Sequence, residues 1–182
     1  AELAIVDGSS GAPALASRGM FDRKFRTEWQ RAYRARTMLS LILFEIDGFD
    51  GLLALYGEQV GERCMNSIAA MIHDQFQRPS DLVARFGPGV VVVIAADTEQ
   101  ASALQLAENV RRRVESAGLE IKGLRQDLSV SAGIASLIPD KRHHEAVLLS
   151  LADDALYQAR SAGGNRCICY RLPVAVGQRE GD

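Results

Sequence analysis

Apolar positions recur at four-residue spacing between Arg18 and about Arg36, where Phe21, Phe25, Trp29 and Tyr33 share one side of a predicted helix and form an aromatic stripe that reads as core. The pattern then changes. Residues 38–47, MLSLILFEID, are a near-continuous apolar run closed by acids, which predicts a buried central strand carrying Glu45 and Asp47 at its C-terminal end. Helical periodicity returns over residues 50–77, with a break expected between Gly57 and Gly61. LVARF (82–86) and VVVVIAA (90–96) read as short strands joined by Gly87, Pro88 and Gly89. Proline suits the second position of a type II turn and glycine the third, so the pair is predicted to be an antiparallel hairpin. A helix over 97–117, a strand over 127–138, a helix over 143–162 and a strand over 165–171 complete an α+β order. The small, turn-rich residues 1–17 read as a lead-in or linker and 172–182 as a tail or linker, which leaves 18–171 as one domain.

Composition narrows the chemistry. A formal net charge of −2 with 24% charged residues gives no global attraction for nucleic acid or anionic lipid, so an anionic ligand has to be held locally. Eighteen of the 21 basic residues are arginine, which suits planar two-bond contacts to phosphate or guanine and also fits a coding bias. Cys64, Cys167 and Cys169 form no CxxC pair and read as reduced, partly buried side chains. His143 and His144 have no cysteines or acids at metal spacing and read as surface residues. With no run near the roughly 18 apolar residues of a membrane span and no signal-peptide pattern, the expectation is a soluble, cytoplasmic domain.

Four local strings, in order, resemble the GGDEF domain, the diguanylate cyclase fold of bacterial signalling, over about residues 10–171. FEIDGFDGLLALYGEQVGE is similar to that family's D-x-D-x-F-K-x-x-N-D-x-x-G-H-x-x-G-D stretch, and RPSDLVARFGPGV to R-x-x-D-x-x-A-R-x-G-G-D-E-F. LSVSAGIA is similar to its T-x-S-x-G-x-A strand, and LLSLADDALYQARSAGGNR to its L-x-x-A-D-x-A-L-Y-x-A-K-x-x-G-R-N-R ending. The resemblance implies a central, mainly antiparallel sheet wrapped by helices, akin to the palm of nucleotide polymerases and adenylate cyclases.

It also implies a lost activity. The signature turn falls on Gly87, Pro88, Gly89, Val90 and Val91, so the acidic pair of the family is replaced by Gly89 and Val90. Joining two GTP molecules needs a 3′-hydroxyl to attack an α-phosphorus while metals neutralise the attacking and leaving oxygens, and neither replacement offers a side-chain ligand. Glu45 matches the first metal-binding acid and is the residual metal candidate, with the Ile46 carbonyl as second contact; Asp47 stands two residues on. The family's guanine-reading Asn falls on Leu53 and its guanine-binding Asp on Glu62. Asp50 replaces a Lys, Arg160 a phosphate-binding Lys, and Gly164 the next basic contact; Ser17 matches an early Asn. These positions read as a vestigial substrate site in a catalytically inactive domain without a cofactor.

Arg78 and Asp81 stand five residues before the altered turn, where the family places its inhibitory R-x-x-D site for the product, cyclic di-GMP. Arg179 and Asp182 repeat the spacing in the tail, so the string alone is weak and its position carries the implication. A guanidinium donates two parallel bonds to guanine O6 and N7 or to phosphate, and a carboxylate accepts from guanine N1–H and N2–H. Arg111, Arg112 and Arg113 are the nearest candidates for a second arginine contact, although the family's position falls at or near Asn109. The expected role is a cyclic di-GMP receptor, working as a homodimer or on an adjacent sensor or output domain. Two alternatives stay open: a nucleotide-free dimerisation or partner-docking module, in which Arg78 and Asp81 are a surface ion pair, and a residual GTP-binding regulatory domain.

Overall fold

A computed structural model describes residues 15–121 and 124–170. The elements run α1 (Arg18–Ala35), β1 (Leu39–Ile46), α2 (Phe49–Tyr56), α3 (Glu58–Gln75), β2 (Leu82–Gly87), β3 (Val90–Ala96), α4 (Gln100–Ala117), β4 (Leu119–Ile121), β5 (Leu124–Gln126), β6 (Val130–Leu137), α5 (Glu145–Ser161) and β7 (Cys167–Cys169). Five strands form one sheet in the order β2-β3-β1-β6-β7, and β4 with β5 forms a separate hairpin. All pairings in the large sheet are antiparallel except β6 with β7. The expected α+β architecture with a central, mainly antiparallel sheet is therefore the one observed.

The apolar run of β1 is covered on both faces because successive side chains of a strand point to opposite sides. Leu39, Leu41 and Leu43 join a cluster with Phe21, Phe25 and Trp29 of α1 and Leu148, Ala152 and Leu156 of α5. Ile42, Phe44 and Ile46 join the opposite cluster with residues of α2, α3 and α4, and Cys167 and Cys169 pack against that one. The α1 stripe is closed by Ala32, with Tyr33 only half-buried. Gly133 on β6 lets α5 lie against the sheet, since a Cβ there would sit 2.2 Å from the Ala152 carbonyl oxygen and the Leu156 amide.

Local differences from the sequence expectation have physical causes. The chain breaks at Gly57 only, and Gly61 lies inside α3, where the missing side chain leaves room for Leu53. The helix expected from residue 97 starts at Gln100, since Asp97 takes a left-handed φ of 49° and Thr98 turns inward. The last strand is shorter than expected, Cys167–Cys169. Ala16, placed in the lead-in by sequence, forms a parallel bridge to Ala84, and Ser17 caps α1 by accepting from the Met20 amide at 3.3 Å.

Candidate functional site

Two clefts lie at opposite ends of β1 and β3, which pair from Leu39 with Ala96 to Glu45 with Val90, a span of about 20 Å at the usual strand rise. At the second end the Ile46 amide donates to the Gly89 carbonyl at 3.0 Å, so the β2–β3 turn is fastened to the end of β1. Gly89 has φ 68°, as the third position of a type II turn demands, and a Cβ at that residue would stand 2.7 Å from two carbons of the Phe49 ring. The cleft beside it, about 410 Å³, is lined by Glu45, Asp47, Phe49, Asp50, Pro88 and Arg160 among others.

The two acids of β1 have separate partners. Glu45 pairs with Arg160 at 3.1 Å. Asp47 accepts from the hydroxyls of Ser129 and Ser131 at 2.6 Å each and from the Asn165 amide at 2.8 Å, which ties β1 to β6 and to the loop around Gly164. Among the described residues no group of three or more His, Cys, Asp or Glu side chains is placed to hold a metal. Glu45 is thus held by an arginine and Asp47 by three donors, and the turn carries no carboxylate.

Burial pushes the Glu45 carboxyl above its ordinary value; Arg160 opposes this, and Asp47 and Asp50 add to it. A carboxyl raised in the folded state contributes stability that is complete below its unfolded pKa and is lost as pH rises through the folded one. The native chain is therefore expected to lose stability relative to Glu45→Gln as pH climbs from 4.5 towards neutrality. The change should stay under about 1 kcal/mol because water reaches the group. Denaturant midpoints of both chains across that range check it, and a difference that does not change with pH contradicts it.

Next to this cleft lies a more apolar one of about 670 Å³, walled by Phe49, Leu53, Phe86 and Pro88. The Arg18 guanidinium stands 3.8 Å over the Phe86 ring. Glu62 receives both hydrogen bonds of the Arg85 fork, at 2.8 and 2.7 Å, and these bonds hold its carboxyl below the usual range.

Arg78 and Asp81 occupy the first end of the sheet, on the turn between α3 and β2. The Asp81 side chain is only 3% exposed and accepts from Arg78 three times: from the backbone amide at 3.1 Å, from Nε at 3.3 Å and from Nη2 at 2.9 Å. Arg78 Nη2 also donates to the Ala96 carbonyl at 3.1 Å and to the Thr98 hydroxyl. The pair is thus a buried carboxylate under a half-exposed guanidinium, fastening the turn to the β3–α4 corner. It neither caps α3, which ends at Gln75, nor lies wholly on the surface. A cleft of about 820 Å³ opens beside it, lined by Asp74, Gln75, Arg78, Asp97, Thr98 and Glu99 among others.

The three arginines of α4 diverge. Arg111, 15% exposed, bonds Glu108 at 3.0 Å and Glu115 and Asn165 at 2.9 Å, on the Asp47 side of the molecule. Arg112 lies 3.8 Å from Glu108 and is mostly exposed. Arg113 pairs at 2.7 Å with Asp74, which lines the Arg78 cleft, and Asn109 bonds Gln75 on the same side. Among the described residues, Arg113 is the one of the three bonded to a residue of that cleft.

Residues 11–166 match the family described as diguanylate cyclase, GGDEF domain. The chain belongs to the GGDEF-domain family. It is 27% identical over 160 residues to the diguanylate cyclase DosC of Escherichia coli K12, covering 88% of this chain and 34% of that protein. It is 30% identical over 169 residues to the response regulator PleD of Caulobacter vibrioides, covering 92% and 36%. The chain thus spans about a third of the length of these curated relatives. Its fold is similar to the active GGEEF domain of a diguanylate cyclase from Vibrio cholerae, with TM-score 0.80, 27% identity and coverage of 87% of this chain and 99% of that one. A second similar structure is the GGDEF domain of DgcB from Caulobacter crescentus in complex with c-di-GMP, with TM-score 0.78, 25% identity and coverage of 90% and 96%.

Within this GGDEF domain, Glu45, Asp47, Asp50, Arg160, Gly164 and Pro88 do come together in one cleft, and Leu53, Glu62, Gly87 and Gly89 line its neighbour. Val91 points away into the core. Sequence reasoning missed Arg85 as the partner of Glu62, Thr98 as a partner of Arg78, and the serines that seat Asp47. The alternation of Ser129 and Ser131 was the one signal available for the last of these: two hydroxyls two residues apart share a face of the strand predicted over 127–138.

Proposed function

We propose that this GGDEF domain does not make cyclic di-GMP and instead binds it as a regulatory ligand at Arg78. The observation that carries the reading is a guanidinium 48% exposed at the mouth of a cleft, held in place from beneath by a buried Asp81, at the position where the family resemblance implies a product site. Such a group is oriented before the ligand arrives, which lowers the entropy lost on binding. Asp81 lines the same cleft, but both its oxygens already accept from Arg78, so in this reading it acts on the guanidinium and not on the guanine edge. The ligand would join this domain to a second copy or to a neighbouring domain, with Arg113 the best placed second cation. Support for catalytic silence is the donor set: Gly89 and Val90 in the turn, Glu45 on Arg160, and Leu53 where a guanine-reading amide would be needed.

A second reading, a nucleotide-free docking module, is favoured by the acids Asp74, Asp97 and Glu99 around the same cleft, which oppose an anionic ligand. Asp50 and Leu53 weigh against a residual GTP site. Calorimetric titration with cyclic di-GMP, and with GTP plus magnesium for comparison, separates the three. Binding of cyclic di-GMP alone is the expected result; no heat from either ligand at near-millimolar concentration supports the docking module in its place.

A further inference from the structure

The bonds of Arg78 divide its five N–H hydrogens unequally. Nε and one Nη2 hydrogen go to Asp81; the other Nη2 hydrogen is shared between the Ala96 carbonyl and the Thr98 hydroxyl. Nη1 donates to none of the described residues. A two-bond contact to a guanine edge or to two phosphate oxygens takes hydrogens from two different nitrogens. The pair left for a second two-bond contact is Nη1–H and the Nη2–H that Thr98 and Ala96 share.

We propose that Thr98 is a latch on this site: its hydroxyl is the nearer of the two acceptors, with the Ala96 carbonyl at 3.1 Å, on the hydrogen of Arg78 that a guanine or phosphate must take, so ligand and Thr98 compete. The inference rests on the receptor reading and adds the residue that sets its affinity. Thr98 is 4% exposed, donates its own hydroxyl hydrogen to the Ala96 carbonyl at 2.9 Å, and has its carbonyl held by the Ser40 hydroxyl at 2.6 Å. Ser40, fully buried, meets the Ser136 hydroxyl at 2.6 Å. The corner is thereby anchored across β1 to β6, so the Thr98 backbone stays fixed while its side chain exchanges partners. A ligand with a single acceptor is met by Nη1 alone and gains little. One with two adjacent acceptors displaces Thr98 and outcompetes the longer bond to the Ala96 carbonyl, which makes the latch a filter for guanine edges and phosphates.

The test compares the full chain with Thr98→Val, which removes the hydroxyl at nearly constant shape, and with Thr98→Ser, which keeps it. In titrations with cyclic di-GMP, Thr98→Val is expected to bind about fivefold to tenfold more tightly, with Thr98→Ser returning towards the native affinity. Equal or weaker binding by a folded Thr98→Val overturns the latch. Exchange of the Arg78 Nη hydrogens with water, followed by nitrogen-15 NMR, reads the contact without ligand and is expected to quicken in Thr98→Val. Should neither chain bind cyclic di-GMP, the receptor reading falls. The exchange rates then judge the contact: faster exchange in Thr98→Val upholds it, and identical exchange in both chains overturns it.

Discussion

Purified domain incubated with GTP and magnesium is expected to form no cyclic di-GMP, and the double change Gly89→Asp with Val90→Glu is expected to leave it inactive. The first expectation follows from the missing turn carboxylates. A metal clamp on the attacking and leaving oxygens is worth several kcal/mol of barrier, so its loss costs at least about 10³-fold in rate. The second follows from what surrounds the turn. An aspartate at 89 would need the left-handed φ of 68° and would drive its Cβ to 2.7 Å from Phe49, itself buried against the core. A glutamate at 90 would face Glu45 across the β1–β3 ladder, a like-charge pair beside the single arginine that Glu45 already uses. Asp47 would remain on Ser129, Ser131 and Asn165. Product detected by chromatography from the double variant, and absent after a further Glu45→Ala change, would show that the turn alone had silenced the domain.

Much of the fold was legible because its strongest signals are local. The uninterrupted run of β1 announced a strand covered on both faces, and the glycine after Pro88 announced the hairpin. The β4–β5 hairpin went unseen, since two three-residue strands carry no periodicity to read. In the site the limits were of another kind. Which residues line the clefts at the Glu45 end of the sheet followed from order along the chain, but their partners did not: Glu62 meets Arg85, 23 residues on, and Asp47 meets Ser129 and Ser131 around the start of β6. The same holds for Arg78. Its spacing to Asp81 was visible, whereas the burial of Asp81 was not, nor were the bonds of Arg78 to Ala96 and Thr98, which the β2–β3 hairpin carries back to the start of β2.

That burial alters what substitutions at Arg78 are expected to do. Arg78→Ala removes a charge-assisted contact to the ligand, worth about 1.5 to 3 kcal/mol, and should weaken cyclic di-GMP binding roughly tenfold to hundredfold. It also strips the side-chain donors from a carboxylate that is 3% exposed, leaving the bond from the backbone amide at 3.1 Å. A loss of folding stability is therefore expected alongside the loss of affinity. Arg78→Lys separates the two effects. Lysine keeps a positive charge over Asp81 and so preserves much of the stability, but a compact ammonium has no planar fork, and affinity should fall almost as far as in the alanine variant. Asp81→Asn should weaken binding indirectly, through a less firmly held guanidinium, without changing the preference for guanine over adenine in the cyclic dinucleotide. Titrations with both cyclic dinucleotides and denaturant melts of the three variants check these expectations together. Native affinity in a folded Arg78→Lys chain would remove the fork from the site, and a changed base preference in Asp81→Asn would put that carboxylate on the ligand after all.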